Sequence, residues 1–187
     1  MAFTTWLRNW RTHFEGRQTS HTYRQRASRK PATLKLRVEQ LEDRLVPATF
    51  TVNTLADTVD ADPAVTSLRE AITAANSQPG DDTIHFSVTG TINLTGALPD
   101  LSSNIEMQGP GAASLTVRRD TGGNYCIFTV WGGTTVVLDG LTISNGYAEY
   151  GGGIANGGTL TVSNSILSGN SAFSLGGGIH NGRMLTV

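Results

Sequence analysis

The chain has 187 residues, of which 22 are glycine, 6 are proline and only 16% are charged. This length suits one domain plus a tail, and the glycine content favours a turn-rich β architecture over a helical one. The net charge of −1 combines a basic part, residues 1–45 with ten Lys and Arg against four acids, and an acidic part, residues 46–187 with four Arg against eleven acids. The acidic part lacks the basic stripe that nucleic-acid binding needs, no apolar stretch is long enough to span a membrane, and the single Cys126 excludes an internal disulfide.

Residues 1–48 are predicted to form a basic, disordered segment ahead of the fold. Arg, Ser, Thr and His are frequent in residues 1–36, where no apolar run is long enough for the core of a secretory signal peptide. An organelle transit peptide is the alternative reading of this Arg-rich, acid-poor composition. Further on, Leu41-Glu42-Asp43-Arg44 resembles the Leu-Glu-x-Arg segment near the start of large exported bacterial surface proteins, and the resemblance implies export or surface targeting.

Residues 49–81 are predicted to form a first strand and a capping helix. Thr49–Asn53 alternates apolar and polar residues, as a half-buried strand does. Ser67 and Glu70 have the spacing of a capping box, in which each side chain accepts a hydrogen bond from the backbone amide of the other residue. The helix is expected over about residues 67–76. Its apolar face recurs at helical spacing and consists of Leu68, Ala71, Ile72 and Ala75. A helix this short must lie on an apolar surface, and we expect it to cover the first coil.

The loop between this strand and helix holds weak candidates for a metal site. The candidates for a Ca²⁺ loop are Asp57, Asp60 and Asp62, which alternate along the chain. A solvated acidic loop is the favoured alternative. His85 and His180 are isolated, with no partner at metal-ligand spacing. Apart from this weak Ca²⁺ hypothesis, no cofactor is predicted.

From Asp82 onward, short strands with period-two alternation are separated by Gly, Asn, Asp and Ser. The segment Gly151–Gly157 returns as Gly176–Gly182, at an offset of 25 residues, and Leu160–Val162 returns at the same offset as Leu185–Val187. A repeat of roughly 20–50 residues is typical of a solenoid or an array. The pattern therefore predicts an all-β fold, a right-handed single-stranded parallel β-helix of about four coils over residues 82–187.

Inward positions of successive coils are predicted to stack as columns of like residues that form the core. The columns are Val137 with Val162 and Val187, Leu141 with Ile166, and Ile154 with Ile179. Asn156 and Asn181 stack in the same scheme, and a structural amide ladder is favoured there over a ligand site. Because the chain stops at Val187 without a cap, it looks like a truncated piece of a longer repeat protein, with self-association through the open C-terminal edge as a further expectation.

The helix region carries a family resemblance. Thr66-Ser67-Leu68-Arg69-Glu70-Ala71-Ile72 resembles the Cys-Ser-Leu-Arg-Glu-Ala signature of bacterial extracellular β-helix proteins. The Gly-Gly-Gly-Ile and Ser168-Gly169-Asn170-Ser171 elements look like the repeats of polymorphic outer-membrane and related adhesin-like proteins. Over about residues 38–187 the resemblance implies export, a surface or secreted location, and a stalk or adhesive role without a known ligand. Thr66 stands where the family has Cys, so the cap lacks the family's disulfide.

Three classes of function suit a parallel β-helix. A non-catalytic surface or secreted scaffold is favoured, with an unknown surface protein or polysaccharide as its partner and no catalytic residue. The alternative is a polysaccharide lyase or glycoside hydrolase, which needs carboxylates facing a cleft. Of the elements such enzymes carry along their coils only Asp81-Asp82 occurs, and we assign it to a turn. A carbohydrate-binding module would use Trp131, Tyr147 and Tyr150 as stacking platforms.

Overall fold

A computed structural model describes residues 46–60 and 62–187. The predicted basic segment lies outside the described residues, apart from Val46, Pro47 and Ala48. Within the described residues one helix, α1, spans Leu68–Ser77. The strands, in chain order, are β1 (Thr49–Val52), β2 (Asp81–Phe86), β3 (Gly90–Leu94), β4 (Asn104–Gln108), β5 (Leu115–Arg119), β6 (Phe128–Val130), β7 (Thr135–Asp139), β8 (Thr142–Ser144), β9 (Tyr147–Tyr150), β10 (Ile154–Asn156), β11 (Thr159–Ser163), β12 (Ile166–Ser168), β13 (Ser171–Leu175), β14 (Ile179–Asn181) and β15 (Met184–Thr186).

These strands form parallel sheets, each built from the same part of successive turns of the chain. The large sheet has the order β1-β2-β4-β7-β11-β15, and the smaller sheets have the orders β3-β5-β8-β12, β6-β10-β14 and β9-β13. All of these strand pairs are parallel. The described residues therefore form a stacked β-solenoid of about four turns. The predicted parallel solenoid is confirmed, while its right-handed winding and the capping role of α1 stay predictions.

Helix α1 begins where Ser67 and Glu70 satisfy each other's backbone amides. The Ser67 hydroxyl accepts from the Glu70 amide at 3.2 Å, and the Glu70 carboxylate accepts from the Ser67 amide at 2.8 Å. The predicted capping box is thus present, although the helix begins and ends one residue later than expected. Its buried face, which consists of Leu68, Ala71, Ile72 and Ala75, is at most 1% exposed and belongs to the solenoid core. Packing against β1 and β2 stabilises a helix that would be marginal alone.

The core lies inside the coils, where inward side chains of successive turns stack on one another. One column of the large sheet consists of Phe50, Ile84, Met107, Leu138 and Val162. A second column consists of Ile105, Val136, Leu160 and Leu185. In the sheet β6-β10-β14 the column consists of Phe128, Ile154 and Ile179, so the predicted pairing of Ile154 with Ile179 is confirmed. Each column removes apolar surface from water, at about 25 cal/mol per Å².

The predicted column of Val137, Val162 and Val187 is wrong. Val162 is inward and pairs with Leu138, whereas Val137 pairs with Thr161 and lies on the outer face. Val187 follows the end of β15 and is 87% exposed. A shift of one residue moves a side chain to the opposite face of a strand. An error of one residue in the predicted offset between coils therefore assigns an outward position to the core.

The predicted pairing of Leu141 with Ile166 is wrong for the same reason. Ile166 pairs with Thr142 and is 51% exposed, while Leu141 is fully buried. The next residue, Leu167, takes the inward position and pairs with Ile143. The offset between partners is therefore 24 residues in this part of the solenoid, as the difference between 142 and 166 shows.

The irregular offset comes from a turn whose length differs between coils. Four residues, Trp131–Thr134, join β6 to β7, whereas only Gly157 and Gly158 join β10 to β11. The partner offset is consequently 26 residues before this turn, from Phe128 to Ile154, and 24 after it. The two extra residues make the turn that contains Trp131 longer than the corresponding turns of the following coils.

Candidate functional site

The loop before α1 is held by an ion pair. The Asp57 carboxylate, whose side chain is 1% exposed, accepts from Nε and Nη2 of Arg69, both at 2.9 Å. The backbone amide and hydroxyl of Thr95 also donate to Asp57, at 2.8 and 2.9 Å. Arg69 in turn donates to the carbonyls of Gly96 and Ala97. The pair therefore ties the loop and α1 to the chain that follows β3.

Burial raises the pKa of Asp57, but hydrogen bonds from Arg69 and Thr95 and the arginine's charge outweigh it, so the pKa is below its ordinary value of 3.8. The pKa of Glu70 is also lowered, chiefly by the backbone amides of Ser67 and Asp60. The groups that favour the ionised carboxylates of Asp57 and Glu70 are therefore the same ones that hold the loop in place.

The structure does not bring the predicted Ca²⁺ ligands together. Asp57 faces the Arg69 guanidinium, whose charge opposes a bound cation. One oxygen of Asp60 accepts from the Asp62 amide, and one oxygen of Asp62 accepts from the Ala64 amide, both within the loop. In the part of the chain that the structure describes, no group of three His, Cys, Asp or Glu residues is arranged to hold a metal ion. The described residues therefore give the weak Ca²⁺ hypothesis no support in this loop.

Asp81 and Asp82 open strand β2 rather than lying in a turn, which corrects the sequence assignment. Asp81 is exposed and accepts from Asn104 Nδ2 at 2.8 Å. Asp82 points inward at 1% exposure, where its Oδ1 accepts from the Ala48 amide at 2.8 Å and its Oδ2 has no partner in the described structure. Adjacent carboxylates on one strand face opposite sides, so this pair cannot act on one substrate.

The outer face of the large sheet carries a different acidic pair. Glu106 pairs with Thr83, two residues beyond Asp81, so Asp81 and Glu106 lie diagonally on the same outer face. They line a groove of about 260 Å³ together with Asn104, Thr135 and Val137. Gln108 Nε2 donates to Glu106 at 2.7 Å. Among the described residues, these two carboxylates are the candidates that we consider for the enzyme alternative.

Asparagine side chains join neighbouring coils. Asn156 is 2% exposed, and its Nδ2 donates to Asn181 Oδ1 at 2.7 Å and to the Met184 carbonyl at 2.8 Å. Its Oδ1 accepts from the Gly158 amide at 3.0 Å. Asn170 links coils in the same way, accepting from the Gly146 amide. The predicted stack of Asn156 on Asn181 is thus a direct hydrogen bond in which every Asn156 amide atom has a structural partner.

Asn156→Asp is expected to lower the free energy of unfolding by about 1–3 kcal/mol. The substitution replaces a donor by a carboxylate oxygen that faces the Asn181 and Met184 oxygens. Urea unfolding followed by circular dichroism measures the change. The matched control is Asn124→Asp at an exposed position, which should change stability by less than about 0.5 kcal/mol. Equal effects of the two substitutions would show that the ladder contributes nothing.

The three predicted aromatic platforms do not form one surface. Tyr147 is half-buried and contacts Phe173, with ring centroids 5.8 Å apart. Tyr150 is 42% exposed and stacks at a tilt on His180, with centroids 5.3 Å apart. Trp131 is 57% exposed and borders a separate groove of about 420 Å³, in which His180 also lies. His85 is exposed on the outer face of β2.

Glu106, Arg69 and Asp100 contribute to these sites, although no sequence pattern predicts their contacts. Asp100 accepts from Trp131 Nε1 at 2.8 Å, yet the two residues are 31 positions apart and no local motif connects them. The Ser-Leu-Arg-Glu segment did contain Arg69, but its carboxylate partner could not be chosen among three nearby aspartates.

No protein-family model, curated protein or solved structure matches this chain. In the described residues no helix has the length and apolar character needed to cross a membrane.

Proposed function

We propose that this chain is an exported, non-catalytic β-solenoid that acts as a rigid scaffold of stalk or adhesin type at the cell surface. The observation that carries the proposal is that polar side chains bond one coil to the next. Asn156 bonds to Asn181, and Asp139 accepts from Ser163 and Asn164 at 2.7 Å each. These last two hydrogen bonds lower the pKa of Asp139. A stack tied both by backbone ladders and by side chains suits a load-bearing spacer.

The proposed location follows from resemblance. The Ser-Leu-Arg-Glu segment at Ser67–Glu70 and the Leu-Glu-x-Arg segment at residues 41–44 resemble elements of exported bacterial surface proteins. The low content of charged residues and the frequent Gly, Ser, Thr and Asn suit a solenoid whose outer face presents uncharged polar groups to water.

Antibodies raised against the chain test the location. We expect them to label intact cells of the producing organism as strongly as permeabilised cells. An antibody against a cytosolic protein, used as the control, should label only permeabilised cells. Labelling of the chain only after permeabilisation would contradict surface exposure.

The enzyme alternative is tested separately, because Asp81 and Glu106 share one groove. The full chain is incubated with neutral and uronate-containing polysaccharides, and new reducing ends and unsaturated uronates are measured. We expect no turnover above buffer. Turnover that is lost in Asp81→Asn or Glu106→Gln would overturn the non-catalytic assignment and identify these two carboxylates as the acid–base pair.

A further inference from the structure

The turn that carries Trp131 is longer than the solenoid needs. Gly157-Gly158 and Gly182-Arg183 make the corresponding turns of the next two coils with two residues each, whereas Trp131–Thr134 uses four. The sheets on both sides stay paired in spite of this difference. Pairing of the strands on either side therefore does not require the two additional residues.

Hydrogen bonds fix the position of Trp131 although more than half of the residue is exposed to solvent. Its indole Nε1 donates to Asp100 at 2.8 Å, and its backbone amide donates to the Leu101 carbonyl at 3.1 Å. Its own carbonyl accepts from the Thr134 hydroxyl at 2.9 Å. The indole remains 57% exposed. An aromatic side chain that is oriented without being buried is preorganised to contact a ligand, because little conformational entropy is lost on binding.

A groove of about 420 Å³ lies beside this indole. Gly157 and Gly182 follow Asn156 and Asn181 as Trp131 follows Val130, so these two positions of the described coils place no side chain above the indole. Ala155 gives a small outward side chain, and His180, stacked on Tyr150, lies in the last coil of the groove. The groove crosses three coils, which is about 10 Å along the stack.

The lining of the groove selects the chemistry of the occupant. No Lys, Arg, Asp or Glu lines it, and His180 is its one titratable side chain among the described residues. The Asn156 amide is fully used within the ladder. Such a surface lacks the guanidinium or ammonium groups that acidic polymers need. It instead presents a flat aromatic face and a narrow apolar floor, which match the flat apolar face of an uncharged sugar ring.

We propose that this groove, with Trp131 as its stacking platform, binds a neutral polysaccharide chain. The proposal rests on the adhesin form of the proposed function and names its ligand class, and it can fail while the stalk role and the surface location stand. Asp100 acts as a positioning residue that fixes the indole plane. Tyr147 and Phe173 contact each other on a different sheet and take no part.

Affinity electrophoresis of the full chain tests the proposal. The probes are β-glucan, glucomannan and dextran as neutral polymers, with polygalacturonate and alginate as acidic ones. We expect at least one neutral polymer to retard the wild-type chain. Trp131→Ala should weaken that binding roughly tenfold or more, because truncating a central aromatic contact commonly has such an effect. Asp100→Ala should weaken it less, since the indole stays but loses its fixed orientation.

Two further variants separate the groove from general effects of exposed aromatic residues. Phe173→Ala removes another exposed aromatic side chain, 61% exposed, and should leave binding unchanged. Ala155→Tyr keeps Trp131 but fills the groove, and should abolish binding. Urea unfolding of each variant is measured as well, so that only variants with similar unfolding midpoints are compared for binding. The proposal is overturned if no neutral polymer retards the chain, if only acidic polymers do, or if Trp131→Ala and Phe173→Ala behave alike.

Discussion

Replacing Arg69 with methionine is expected to lower the free energy of unfolding by about 3–5 kcal/mol. The substitution keeps most of the apolar stem but leaves the Asp57 carboxylate, 1% exposed, without its counter-charge. An uncompensated buried charge costs more than the lost hydrogen bonds alone. The carbonyls of Gly96 and Ala97 also lose a donor. Urea unfolding of the full chain, followed by circular dichroism, measures the loss.

Two variants control this result. Arg118 forms a 3.7 Å pair with Asp120, and both side chains are nearly half exposed, so Arg118→Met should cost less than about 1 kcal/mol. In the double variant Arg69→Met with Asp57→Asn, the orphaned charge is removed, and part of the lost stability should return. If Arg69→Met costs no more than Arg118→Met, the ion pair does not stabilise the loop.

The same pair gives stability a defined dependence on pH. Because the pKa of Asp57 is lower in the folded chain than its ordinary value of 3.8, its contribution is present above that value and is lost as the pH falls through the folded-state pKa. The stability difference between wild type and Asp57→Asn should therefore be largest near neutral pH and shrink below pH 3.8. The pKa values of Glu70 and Asp139 are also lowered in the folded chain. The Asp57→Asn variant should therefore still lose stability at acid pH.

Leu138→Ala is expected to lower the free energy of unfolding by about 2–5 kcal/mol, because it opens a cavity in the inward column. Leu138 is fully buried between Met107 and Val162 of the neighbouring coils. The neighbouring Val137 lies on the outer face beside the Asp81 groove. Val137→Ala should therefore cost less than about 1 kcal/mol.

This matched pair of adjacent residues tests the register itself. Urea unfolding measured side by side on Leu138→Ala and Val137→Ala removes differences in method. If the Val137 variant loses as much stability as the Leu138 variant, the 24-residue offset between β7 and β11 is wrong and the predicted valine column would be restored.

Most side-chain contacts of the candidate sites could not be predicted from the sequence, for one physical reason. Hydrogen bonds such as those from Trp131 to Asp100 and from Asn104 to Asp81 join residues on successive coils, 31 and 23 positions apart. Whether two such residues meet depends on the length of every turn between them. The Asn156–Asn181 contact was predictable because both residues lie in nearly identical segments that are followed by turns of equal length.

The sequence by itself determined the parallel solenoid, the capping box at Ser67 and Glu70, and the stacking of Ile154 on Ile179, because these depend on local spacing or on the 25-residue repeat that holds between β10 and β14. Only the tertiary structure decided that Leu138 rather than Val137 points inward, that Asp57 pairs with Arg69, and that Trp131 borders an open groove. A strand alternates faces at every residue, so the 24-residue offset between β7 and β11, one residue shorter than the 25 of the repeat, reverses which positions point inward. Periodicity predicts that coils stack, and turn geometry decides which side chains meet.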